Sequence, residues 1–233
     1  FVLKNLGDFV TLEPKNHKYY TKDGTELESV SSFIKRFCPP FDPDGSILNG
    51  SAVKKGVEPE ELRKQWDKIR DDACVRGIEF HEEIEYYIKN REIRDSKYKD
   101  LIKNFALQYK ISDRVYSEVI IGNLELGLAG TIDVLDVRKN YVLVQDLKSN
   151  KSISKYSFGR KMLSPLDNHW DSNYNRYVFQ ISAYCYLLDS LGYWIGNDLN
   201  IFWVNFAKNR VEKIPVEYRR KDVELMLNVR NKL

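Results

Sequence analysis

The chain has 233 residues, 42% of them hydrophobic and 13% aromatic, which suits one domain with a full core and excludes a disordered chain. Its 37 basic and 34 acidic residues leave a net charge of +3, so overall charge singles out no partner and only its distribution can. Three widely spaced cysteines, Cys38, Cys74 and Cys185, argue against a disulfide framework or structural zinc and for a reduced, intracellular protein (cytoplasmic, or host cytoplasm if phage-encoded). No apolar run reaches the roughly 18 residues that cross a membrane, so no membrane contact is expected. The start, FVLKNLGDFVTLEPK, lacks a signal-peptide pattern, and without an initiator Met a lost organelle presequence stays open.

In chain order, residues 17–28, HKYYTKDGTELE, predict a hairpin turning at Asp23-Gly24. A short helix follows, capped by Ser29 or Ser31, and Pro39-Pro40 stops it. Residues 39–57, rich in Pro, Gly, Ser and Asp, read as a surface loop. From Pro59 to about Asn90 one long helix is expected. Leu62, Trp66, Ile69, Ala73, Gly77, Phe80, Ile84 and Tyr87 recur at spacings of three and four, and Gly77 is where a break would fall. A second helix, about Lys97 to Tyr109, turns Leu101, Phe105 and Tyr109, or Ile102 and Ala106, inward. RVYSEVII, 114–121, reads as a strand, with Glu118 either an outward-facing carboxylate or part of a polar site.

Gly130–Lys148, GTIDVLDVRKNYVLVQDLK, is the stretch around which the chain is organised. Alternation predicts two strands, with Asp133, Leu135 and Val137 on one face of the first and Val142, Val144, Asp146 and Lys148 on one face of the second. A two-residue Lys139-Asn140 turn pairs Arg138 with Tyr141, sets Asp133 opposite Asp146 and Lys148 opposite Thr131. Two carboxylates that close repel unless a cation lies between them, and hard oxygen donors suit Mg²⁺ or Mn²⁺.

A long connection follows, 149–173. Residues 148–161 hold Lys148, Lys151, Lys155, Arg160 and Lys161 and no acid, which reads either as a solvated loop or, beside paired acids, as a groove for a nucleic-acid backbone. Trp170, Tyr174 and Tyr177 read as base-stacking platforms or as core residues. A helix spans about Tyr174 to Leu191, with Gln180 and Tyr184 on one face and Gly192 just past its end. LNIFWVNF and RVEKIPV are two more strands joined by a Lys-Asn turn, and a helix from about Arg219 to Lys232 closes the chain. The order predicts an α/β (α+β) fold, a central mixed sheet flanked by helices. Residues 1–58 form an N-terminal hairpin, short helix and loop, and 59–233 the core.

Five motifs in this order resemble the PD-(D/E)xK nuclease superfamily, in its RecB-type and phage-type exonuclease branch. Gly77–His81 is similar to G-x-x-x-H, Glu118 to the acid of the first core strand, Gly130–Asp133 to G-x-x-D, Asp146-Leu147-Lys148 to D-x-K, and Gln180–Tyr184 to Q-x-x-x-Y. The N-terminal hairpin and residues 161–188 are also similar to phage-type and mitochondrial genome maintenance exonucleases. The resemblance implies a restriction-endonuclease-like core with an N-terminal helical extension. It implies one or two Mg²⁺ or Mn²⁺ ions on His81, Asp133, Asp146 and the Leu147 carbonyl, with Asp133, Asp146, Lys148 and Glu118 catalytic. Gln180, Tyr184, Lys151, Lys155, Arg160 and Lys161 would bind substrate. Some relatives use four cysteines for an iron–sulfur cluster; with three here, none is expected. The implied partners are DNA, as single strands or ends, and a recombination or single-strand-binding protein. The implied activity is metal-dependent DNA hydrolysis at strand ends, with an endonuclease or a non-cleaving DNA-binding protein as alternatives.

Overall fold

A computed structural model describes residues 9–40, 45–157 and 159–230. The predicted hairpin is β2 (Lys18–Thr21) and β3 (Glu26–Ser29), turning through Gly24 at φ 86°, a conformation glycine adopts without strain. A further strand, β1 (Val10–Glu13), precedes it. Ser29 caps α1 (Val30–Lys35) by accepting the Ser32 N–H at 3.1 Å. The expected loop at 39–57 instead contains a helix, α2 (Ser46–Lys55), ended by Gly56 at φ 66°. Only Gly50 interrupts this helix, and its Leu48 and Ala52 find an apolar partner in Leu62 that the local composition does not reveal. Residues 41–44 of that stretch lie outside the described residues.

The long helix is α3 (Pro59–Asn90), unbroken at Gly77. Its apolar stripe is buried only at the ends, by Leu62 and by Phe80, Ile84 and Ile88; Ile69 is 64% exposed because nothing in the described fold packs there. α4 (Lys99–Gln108) buries Leu101, Ile102 and Phe105, both of the alternative faces. Then come β4 (Val115–Asn123), β5 (Leu128–Val137), β6 (Val142–Lys148), α5 (Asn173–Ser190), β7 (Leu199–Asn205), β8 (Arg210–Val216) and α6 (Arg220–Val229). The predicted tail of the last helix, 231–232, lies outside the described residues.

The strands form one mixed eight-stranded sheet in the order β1-β2-β3-β5-β6-β7-β8, with β4 on the other edge of β5. On one face α1, α5 and α6 pack through Phe33, Phe179 and Met226. On the other, α3 and α4 pack through Phe80, Phe105 and Phe202. This is the expected central mixed sheet with helices on both sides.

One edge of β5 is shared by two strands. β3 pairs in parallel with Leu128 and Ala129, and β6 pairs antiparallel with Val134 to Val137. Residues 130–133 therefore lie in a fork between β3 and β6. Packing changes side there: Leu128 and Ile132 join the α5-side core together with Leu135 and Val137, whereas Val134 joins the α3 side. Strict alternation, which set Asp133 on the Leu135 face, fails by one residue at Asp133. β4 adjusts at the same point. Ser117 and Val119 pair with Val134 and Ile132, while Glu118 between them drops out of the ladder at φ 51°.

Candidate active site

The expected hairpin register holds where it is paired: Val137 faces Val142, Leu135 faces Val144, and the Arg138 N–H donates to the Tyr141 carbonyl at 2.8 Å. The ladder stops at Val134–Gln145, one step before the two aspartates. Asp133 Oδ2 itself accepts the Leu147 N–H at 2.7 Å, so a side chain replaces the next rung and the strands part. Lys148 consequently has no ladder partner in Thr131; it pairs with Trp203 of β7. The same bond fixes Asp133 at the fork, and the Leu147 side chain is buried on the α3 side.

Glu118, Asp133 and Asp146 occupy corresponding positions on β4, β5 and β6, since the flanking pairs on both sides of β5 are in register. Three carboxylates thus cross three adjacent strands. His81 comes from α3: its Nδ1 lies 3.2 Å from Glu118 Oε1, and donor atoms of His81, Glu118 and Asp133 all lie within 4.8 Å of one another. Gly77 brings the helix close, because a Cβ there would sit 3.1 Å from Ser149 Oγ, just past the end of β6. Asp146 is not in that group. It is buried and paired with Lys148, with Nζ 2.9 Å from Oδ1 and 2.8 Å from Oδ2. The Lys148 ammonium thus sits against both carboxylate oxygens of Asp146. A donor set of one imidazole and two to three carboxylates fits Mn²⁺ or Mg²⁺ better than a thiolate-seeking metal.

The charged groups of the cluster act on one another's protons. Burial pushes the Asp146 carboxyl up to about 6, with Asp133 adding and Lys148 opposing. Burial opposes the charge on Lys148, but Asp146 and Asp133 outweigh it and hold the ammonium up to about 12. His81 is also raised: burial pulls it down, and the Glu118 hydrogen bond and Asp133 more than compensate.

Gln180 Nε2 donates to Tyr184 Oη at 3.1 Å, and Tyr184 packs on Gly130, where a Cβ would stand 2.6 Å from its ring. Both lie beside the fork, with Tyr184 in its wall. Tyr19, missed from sequence, reaches the fork from β2 and meets Thr131 Oγ1 at 3.0 Å; only the β3–β5 pairing brings it there. Of the basic residues, Arg160 bonds to Asp171 at 3.3 Å and to the Pro39 carbonyl at 3.2 Å, which ties down the loop. Lys151, Lys155 and Lys161 are exposed. Among the described residues, no helix is long and apolar enough to cross a membrane. The chain matches no known family model, and no curated protein shows significant similarity to it.

Proposed function

We propose that the protein is a metal-dependent deoxyribonuclease that hydrolyses phosphodiester bonds at DNA strand ends. The observation that carries this reading is the row of three carboxylates on adjacent strands, flanked by His81 on one side and Lys148 on the other. His81, Glu118 and Asp133 would hold a divalent cation, with Asp146 in electrostatic reach of His81 and Asp133. Such an ion supplies Lewis acidity toward a phosphoryl oxygen and lowers the pKa of a bound water. Lys148, kept charged by its carboxylate neighbours, stabilises the negative charge that develops on the phosphate. Asp146 orients that ammonium, and buried Tyr184 with its partner Gln180 supports the wall of the fork. The exposed lysines after β6 supply the electrostatic attraction that a polyanion needs.

One gel series tests this. Linear single-stranded, linear double-stranded and circular DNA, labelled at the 5′ or 3′ end, are incubated with Mg²⁺, Mn²⁺ or EDTA, with Asp146→Asn as control. The expected result is metal-dependent loss of linear DNA with circles spared, and no cleavage by Asp146→Asn. Cut circles would replace the end-dependent reading with an endonuclease. Full activity of Asp146→Asn, or cleavage in EDTA, would overturn the assignment.

A further inference from the structure

Lys148 at the end of β6 and two lysines of the segment after it rest on three aromatic rings at the start of α5. Lys148 Nζ lies 5.0 Å from the Tyr177 ring centre, Lys155 Nζ 4.9 Å from that of Tyr174, and Lys161 Nζ 3.8 Å from that of Trp170. Tyr174 and Tyr177 are three residues apart on the helix, about 4.5 Å along its axis, and Trp170 lies just ahead of its first turn. The loop is fixed in this position. Ser154 N–H donates to Asn173 Oδ1 at 2.8 Å, Asn173 Nδ2 donates to the Ser152 carbonyl at 2.7 Å, and Trp170 bridges to Lys161. Lys155 and Lys161 are exposed and meet no carboxylate among the described residues, though Lys161 also donates to the Asn168 carbonyl at 3.4 Å. The nearby acid, Asp171, is neutralised by Arg160 and Arg176.

Tyr174 and Tyr177 pack against the α5 core while lysines cover them. Such rings have little face left for a base. What they offer is position: a cation over a ring keeps its charge and loses rotamer freedom in advance of binding. We propose that Lys155 and Lys161 form a phosphate track for a DNA strand leading away from Lys148, with Tyr174 and Trp170 as lysine seats and not base platforms. The strand is then held by its backbone and without regard to base identity. This rests on the nuclease reading and adds to it the way the strand is held.

The test is equilibrium binding of the full chain in EDTA, where cleavage is off. The probes are a fluorescein-labelled oligothymidylate and a strand of equal length made of abasic sites, each titrated with NaCl. The expected result is equal affinity for both probes within about twofold. Lys155→Gln and Lys161→Gln should each flatten the plot of log affinity against log salt by about 0.7, the increment of one phosphate contact on a single strand. Tyr174→Leu should flatten it likewise, and Tyr174→Phe, which keeps the ring, should not. A tenfold or greater preference for the thymidylate strand would overturn the track, because stacking would then be holding bases. So would a Tyr174→Leu loss of affinity with an unchanged salt slope, or unchanged slopes in both lysine variants. Those outcomes leave the nuclease reading standing if the wild type binds and cuts DNA. Absence of any DNA binding by the wild type at low salt would overturn both.

Discussion

Asp133 carries two demands at once. It replaces a ladder bond by accepting the Leu147 N–H, and it stands within 4.8 Å of the His81 and Glu118 donor atoms. Asp133→Asn keeps an acceptor for Leu147 and removes the charge. It should therefore fold normally and lose on the order of 10²-fold or more in cleavage rate, read by circular dichroism alongside the gel assay. Under the proposed metal-dependent mechanism, protons would compete with the ion at this site. Both His81 and Asp146 have raised pKa values, the latter near 6, so the folded protein holds these protons more tightly than the unfolded chain does. Their stabilising contribution is present at low pH and is lost as pH rises through 6 and the His81 range, where the deprotonated site becomes available to a cation. The increase in melting temperature produced by a fixed Mn²⁺ concentration should consequently be small at pH 5 and grow up to pH 8. Scanning fluorimetry at several pH values checks this; an increment independent of pH would mean that His81 is not a ligand and that the charge of Asp146 does not act on the ion.

At the scale of elements, two glycines bring elements together at the site but tolerate change differently. A Cβ at Gly130 would stand 2.6 Å from the ring of Tyr184, which is buried between α5 and the sheet and has nowhere to go. Gly130→Ala should cost about 1–3 kcal/mol in urea unfolding and disturb the fork. At Gly77 the nearest atom is Ser149 Oγ at 3.1 Å, a small side-chain end that can rotate. Alanine also gains up to about 1 kcal/mol of helix propensity inside α3. Gly77→Ala should thus be neutral or slightly stabilising by the same measurement. Equal destabilisation by both substitutions would show that the close approach at Gly77 is as rigid as the one at Gly130.

On the scale of the whole molecule, α3 joins two unequal bodies of packing. Its C-terminal part enters the core through Phe80, Ile84 and Ile88, while Leu62 and Trp66 belong to a small separate cluster with Leu48 and Ala52 of α2. Between Leu62 and Phe80 no residue of α3 is buried. The small cluster is able to open without the core. Leu62→Ala should therefore speed hydrogen exchange in residues 46–66 and leave the main unfolding midpoint nearly unchanged. Phe80→Ala should lower global stability by about 3–5 kcal/mol. A large shift of the main midpoint in Leu62→Ala would mean that α2 and the start of α3 unfold with the core.

Most of the elements and one strand register were legible in the residues alone. Long periodic runs specified α3 and α5, alternation with a tight turn aligned β5 with β6, and charge spacing marked Asp133, Asp146 and Lys148. These signals are local, because neighbouring residues share the face or turn that produces them. Tertiary structure decided what depended on distant partners. Leu62 made a helix of Ser46–Lys55, Tyr19 entered the fork through the β3–β5 pairing, and Ile69 stayed exposed where the stripe of α3 found nothing to cover it. It also decided that the donor atoms meeting His81 belong to Glu118 and Asp133, while Asp146 turns to Lys148. The physical reason is the fork: β5 serves two strands on one edge, alternation slips by one residue there, and period-two patterning carries no record of which neighbour a strand leaves or joins.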